Sequence, residues 1–174
     1  MRDTLLCDLG NVLVPLDFER CGLRLQALSG LPPQVAFARL RHGPDFFDYE
    51  RGKLTPERFF ARAASRLGLP ADAAPQLEDA WNDMFHVDDA MVRLVTRLAE
   101  RGPVYLWSNT SASHWKVLRP LLPVLEQMRD LHLSFELGAI KPDVLFFERA
   151  IDRSQLDVKR CVFVDDVNSV PIFA

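Results

Sequence analysis

The chain has 174 residues, 48% of them hydrophobic and 26% charged, which bounds it as one ordinary globular domain with room for an insert. Its net charge is −3 and no basic run breaks the pattern, so composition excludes an electrostatic nucleic-acid binder. No apolar segment is long enough to span a membrane, and the opening MRDTLLCDLGN has an acid inside too short an apolar run to act as a signal peptide.

Leu5 to Leu13, LLCDLGNVL, reads as a buried strand and the tight turn that ends it at Gly10-Asn11. Asp8 stands near the strand's end, where a carboxylate is expensive to bury unpaired. From Asp17 to about Phe85 the pattern is helical. Phe18, Cys21, Leu25 and Leu28 recur at helical spacing before Gly30, and Pro32-Pro33 opens a second helix that ends before His42-Gly43. Thr55-Pro56-Glu57 combines a capping hydroxyl, a first-turn proline and an acid at the positive helix end, with Gly68 as the stop. Leu77, Trp81, Met84 and Phe85 mark a further helix.

After Asp88 the texture changes. A helix is expected from Asp89 to about Arg101, then a short apolar strand from Val104 to Trp107 that stops at Ser108-Asn109-Thr110. A helical stretch from about Ser113 to Met128 is interrupted by Pro120 and Pro123. Leu131 to Phe135 reads as a third strand, Pro142 opens a helix through about Asp152, and Cys161 to Val164 is a fourth strand ending at Asp165-Asp166. Strands alternating with helices predict an α/β fold with a parallel sheet covered on both faces, carrying an all-helical insert between the first and second strands. The three cysteines, Cys7, Cys21 and Cys161, make no disulfide framework or metal-ligand spacing. Cys7 and Cys161 read as small core residues, and a reducing cytoplasm is the expected setting.

Four polar groups stand at strand or helix ends: Asp8, Ser108 with Asn109, Lys141, and Asp165 with Asp166. In a parallel sheet such tips converge on one edge, where ligands bind. Each has a plainer reading, as a turn, a solvated lysine or a helix cap. Together they supply what phosphoryl transfer needs. These are an attacking carboxylate, a divalent cation held by acids to offset its repulsion from phosphate, and hydroxyl, amide and ammonium donors for the remaining oxygens.

In order, LLCDLGNVLV, VYLWSNT, Lys141 in GAIKPD, and CVFVDD resemble the four motifs of the haloacid dehalogenase superfamily, most of whose members are phosphatases. The resemblance spans essentially the whole chain. It implies a Rossmann-like core over residues 1–14 and 89–174 with a C1-type helical cap over 15–88. DLGNVLV, YERGKLT, LWSNT, LGAIKPD and FVDD look closest to a bacterial sugar-phosphate branch, similar to the α-glucose-1-phosphate phosphatases. The resemblance implies Asp8 as the nucleophile that forms an aspartyl-phosphate, with Lys141 as the second catalytic residue. Ser108 and the Asn109 amide would bind phosphate. Mg²⁺ would sit on Asp8, the Gly10 carbonyl and Asp166, with Asp165 supporting the metal and orienting Lys141. The implied partner is a small-molecule phosphomonoester, with no nucleic acid or membrane.

The sequence departs from that pattern twice. Gly10 stands where most of these phosphatases carry a second aspartate that protonates the leaving oxygen and activates water, help typically worth about a hundred- to ten-thousand-fold. Asp17 and His114 are the nearby alternatives, although a helix cap and a structural histidine are the plainer readings. After the two acids the chain reads VNSVPIFA, without the helix and last strand that the family shows. The fourth strand is therefore expected to expose an unpaired edge, which predicts weak stability or a homo-oligomer formed through that edge. Of the cap residues, Phe46, Phe47, Tyr49, Phe59 and Phe60 are expected mainly in the cap's own core, and Glu50 and Arg51 in solvent. Two other functions follow from the same residues: carbon–halogen hydrolysis by Asp8 without metal, against which the paired acids argue, and a catalytically impaired member that binds a phosphorylated ligand or a partner.

Overall fold

Thr4–Cys7 (β1), Val104–Ser108 (β2), Asp130–Leu133 (β3) and Cys161–Val164 (β4) form one all-parallel sheet in the order β3-β2-β1-β4 in the computed structural model, which describes residues 3–167. β2 is buried at every position, as a near-continuous apolar run in a sheet covered on both faces should be. β4 alternates instead. Val162 and Val164 are exposed, while Cys161 and Phe163 pack part-buried against the sheet. Cys161 is thus half-buried, unlike the fully buried Cys7. Among the described residues β4 pairs only with β1. The expected loss of a last strand concerns residues that lie outside the described ones.

Between β1 and the rest of the sheet runs a helical insert: Phe18–Ser29 (α1), Pro33–Arg41 (α2), Phe46–Glu50 (α3), Pro56–Leu67 (α4) and Ala74–Asn82 (α5). Its helix ends follow the sequence signals. Asp17 accepts from the Arg20 amide at 2.8 Å, Thr55 caps α4 ahead of Pro56, and Gly30 and Gly68 close α1 and α4 in the left-handed conformation. The short α3 has no such signal. Burial of Phe46 and Tyr49 in the insert's own core, with Phe59, Phe60 and Trp81, accounts for it.

Asp89–Ala99 (α6), Ala112–Leu118 (α7), Ser134–Leu137 (α8) and Val144–Ser154 (α9) surround the sheet. Two expectations need correction. The helix predicted to Met128 ends at Leu118, because Pro120 and Pro123 lack amide donors, and the chain continues in 3₁₀ turns. β3 ends at Leu133 rather than Phe135. Its partner β2 stops opposite at Ser108, and the Ser134 hydroxyl turns to bond the Thr110 amide and carbonyl at 2.9 and 2.8 Å. Separate apolar clusters fill the two faces of the sheet. No helix among the described residues is long and apolar enough to cross a membrane.

Two links tie the insert to the sheet. Its entry and exit run side by side, with the Asp17 amide on the Met84 carbonyl at 2.7 Å and the His86 amide on the Pro15 carbonyl at 3.1 Å. On the other side Arg51 pairs with Asp143 at 2.8 Å, and Gly52 lies against the Phe135 backbone. The cleft between these links opens onto the carboxyl ends of the strands.

Candidate active site

β1 lies between β2 and β4, and the chain crosses from one side of β1 to the other, so the strand ends of β1 and β4 flank the switch point where open α/β sheets bind ligands. Asp8 follows β1, and Asp165 and Asp166 follow β4. One carboxylate oxygen from each lies within 4.8 Å of the others. Lys141, which the β3–α9 connection carries, reaches between them. Its Nζ is 2.9 Å from Asp8 Oδ1 and 2.6 Å from Asp165 Oδ2, and all three side chains are nearly buried. Burial pushes the Asp8 carboxyl up from its usual range, and the Lys141 ammonium opposes that shift. Burial also pushes the adjacent Cys7 thiol up to about 12, so it stays protonated.

Three side chains, Asn109, Asp165 and Asn11, hold the constellation through further hydrogen bonds. Asn109 clamps the backbone of Lys141, accepting from its amide at 2.7 Å and donating to its carbonyl at 2.8 Å. Asp165 has both oxygens committed, one to Lys141 and the other to the Val167 amide at 2.8 Å. Asn11 donates to Asp166 Oδ2 at 2.9 Å and accepts from the Leu16 amide at 3.1 Å. Its φ of 52° is one that asparagine tolerates better than most residues. Ser108 Oγ is buried in the cleft with no partner. The carboxylates of Asp8 and Asp166, oxygen donors both, suit a small hard cation such as Mg²⁺. Asp165 is spent on holding Lys141.

The cleft is a cavity of about 450 Å³ that brings Asp8, Gly10, Ser108, Asn109, Lys141, Asp165 and Asp166 together against the insert. Every site residue expected from the sequence is therefore in one place. Asp17 is not among them; it caps α1. His114 does line the cleft, with its ring stacked on Trp81 and edge-on to Phe85. Burial pushes it down to about 3, so it is a neutral ring at physiological pH, with Nε2 lacking a partner. A side chain at position 10 would meet only the Leu16 side chain, at 3.3 Å, so glycine there is not forced by space. Of the insert aromatics, Tyr49, Phe59 and Phe60 form its core as expected, whereas Phe46 and Phe47 also line the cleft. Glu50 and Arg51 correct the expectation of solvated loop residues. Glu50 faces the cleft, with burial pushing its carboxyl up to about 7, and Arg51 bridges insert and sheet domain.

No protein-family model matches the sequence. The crystal structure of a HAD family enzyme from Bacteroides thetaiotaomicron superposes with a TM-score of 0.86 at 28% identity, covering 96% of this chain and 85% of that one. In fold and in sequence the chain is similar to HAD family enzymes over nearly its whole length. A second structure of the same HAD enzyme, in complex with magnesium and inorganic phosphate, superposes with a TM-score of 0.84 at 27% identity over 97% of this chain and 86% of that one. Two curated relatives are phosphatases. The sesquiterpene phosphatase astK of Aspergillus oryzae is 26% identical over 129 residues, 68% of this chain and 61% of that protein. The D-ribitol-5-phosphate phosphatase of Bacteroides thetaiotaomicron is 24% identical over 176 residues, 97% of this chain and 85% of that protein. The chain thus spans under two thirds of the first relative's length and most of the second's.

Proposed function

We propose that this protein is a Mg²⁺-dependent phosphatase that hydrolyses a small phosphomonoester through a phosphoryl group carried on Asp8. The observation that carries the reading is the buried Lys141 bridging Asp8 and Asp165 at 2.9 and 2.6 Å, with Asp166 alongside. Asp8 attacks phosphorus, forming a P–O bond to its carboxylate while the ester P–O bond breaks and the alkoxide leaves, taking a proton from solvent water. Water then attacks the acyl phosphate, releases inorganic phosphate and restores the carboxylate. Lys141 holds Asp8 in place and presents positive charge to the phosphoryl oxygens. Ser108 Oγ, otherwise unpartnered, and the Asn109 backbone amide bind those oxygens. Asp8, Asp166 and the Gly10 carbonyl would hold Mg²⁺, whose charge offsets the repulsion between carboxylate and phosphate. Gly10 supplies no proton to the leaving oxygen.

The division into a core of residues 1–14 and 89–174 and a cap of 15–88 belongs to the same proposal, with the cap closing over the ester. The relatives' names support a phosphatase and a sugar- or polyol-phosphate substrate in one case, a terpenoid in the other. Three free cysteines agree with a cytoplasmic setting, and β4, the sheet's edge among the described residues, is the place where a second copy would add. The test is phosphate release from a panel of phosphomonoesters with Mg²⁺ and with excess chelator. Hydrolysis that needs Mg²⁺ is expected. Release of halide from a 2-halo acid with full activity in chelator would instead favour the carbon–halogen reading.

A further inference from the structure

The alcohol half of the cleft is built differently from the phosphate half. Phe18, Phe37, Phe46, Trp81, Met84 and Phe85 supply its walls. The rings support one another, with Phe37 5.3 Å from both Phe18 and Trp81 and Phe46 6.0 Å from Trp81. A sugar or polyol entering this space needs a partner for each hydroxyl, and few are on offer. Both polar ends of the Asn11 amide are engaged, by Asp166 and the Leu16 amide, and both ends of the Asn109 amide by the Lys141 backbone. The amide and carbonyl of Thr110 are taken by Ser134. Beyond the Thr110 hydroxyl and the Trp81 indole N–H, which has no partner, three polar side chains remain, two on the insert and His114 on α7. His114 is wedged between Trp81 and Phe85 and offers one ring nitrogen. Arg41 lays its guanidinium over the Phe46 ring at 4.2 Å. Glu50 is a carboxyl set back from solvent near Arg41 and Arg51.

We infer that the substrate is the phosphate ester of a hydrophobic alcohol, an alkyl, isoprenoid-like or aromatic body that fills the aromatic half of the cavity, rather than of a sugar or polyol. The inference rests on the phosphatase reading and names the substrate class for that same site. The physical case is differential. Each methylene moved from water into an apolar pocket improves binding about fourfold. A hydroxyl in place of a methyl group in such a pocket costs about a hundredfold. A polyol with several hydroxyls therefore loses on both counts.

A ladder of straight-chain esters tests this with the leaving group held constant: ethyl, butyl, hexyl and octyl phosphate against ribitol 5-phosphate and glucose 6-phosphate, all esters of primary alcohols. With Mg²⁺, kcat/KM should climb by up to about fourfold per methylene until the cavity is full, and octyl phosphate should exceed both polyhydroxy esters by at least a hundredfold. A flat ladder, or a sugar or polyol ester at or above octyl phosphate, overturns the inference. Failure of every ester, p-nitrophenyl phosphate included, would instead refute the phosphatase reading. Calorimetric binding of octyl phosphate and ribitol 5-phosphate to Asp8→Asn then still decides the pocket's preference, and tighter binding of the polyol ester overturns it. Phe37→Ser should flatten the ladder. Phe18→Ser, at a half-exposed position that folding tolerates, should do so in the same sense, and an unchanged slope in a folded variant of either kind counts against the assignment.

Discussion

Lys141→Met removes one charge from the middle of the site and replaces it with a side chain of similar length. The ammonium sits 2.9 Å from Asp8 and 2.6 Å from Asp165, with side-chain exposures of 10%, 11% and 7% for the three groups. At an effective dielectric near 20 each of these contacts is worth about 6 kcal/mol of attraction. Most of it offsets the cost of burying the three charges and the repulsion between the two carboxylates. Removing the cation alone leaves that cost uncompensated, and breaking a buried pair in this way typically destabilises by about 3–5 kcal/mol. Against a domain stability of about 5–15 kcal/mol, that is a large loss. Urea unfolding in chelator, followed by tryptophan fluorescence, measures it. Lys141→Arg, which keeps the charge, should lose less. Adding Mg²⁺ should restore part of the difference, since a bound cation at a hundred times its Kd contributes about 2.7 kcal/mol. A Met variant within 1 kcal/mol of the parent would refute the claim that Lys141 neutralises a buried acid pair.

Other consequences follow from single contacts. Asn11→Gly keeps the positive φ but loses the bond to Asp166, so the Mg²⁺ concentration for half-maximal activity should rise about tenfold or more while the melting temperature changes little. Gly52→Ala would place a Cβ 2.2 Å from the Phe135 carbonyl oxygen at a φ of +69°, and it should cost at least about 2 kcal/mol in denaturant unfolding. His132 is fully buried, and burial pushes it down to about 4 from an ordinary 6.5. Between these values the unfolded chain binds a proton that the folded one does not. Stability should therefore fall as pH drops from 6.5 to 4, by about 3 kcal/mol from this group. His132→Gln should make that part of the profile shallower, leaving the fall that buried His114 contributes in the same direction, and a profile as steep as the parent's would show that His132 is not a cause.

The site was legible because its residues stand at the ends of apolar runs. A strand that terminates in Asp8, in Ser108-Asn109 or in Asp165-Asp166 announces both its secondary structure and its polar tip, and parallel pairing brings the tips together. Lys141 was visible through the proline that follows it. What periodicity could not show is which side chains the insert turns toward that edge. Phe46 and Tyr49 belong to one five-residue helix and both are buried, yet only Phe46 borders the cleft. Glu50 and Arg51 read as a polar loop because their partners, the cleft wall and Asp143, are distant in sequence. The same is true of Asn11, whose contact with Asp166 spans almost the whole chain. The ends of α7 and β3 were misread for local reasons, prolines in one case and the loss of a strand partner in the other.

The central claim is that Asp8 carries the phosphoryl group. Acid quench during turnover of p-nitrophenyl phosphate with Mg²⁺, followed by digestion and peptide mass spectrometry, tests it directly. The prediction is a phosphorylated peptide containing Asp8 in the parent, with no phosphopeptide and no turnover in a folded Asp8→Asn variant. Continued hydrolysis by Asp8→Asn, or steady turnover of the parent with Asp8 unmodified throughout, would contradict it.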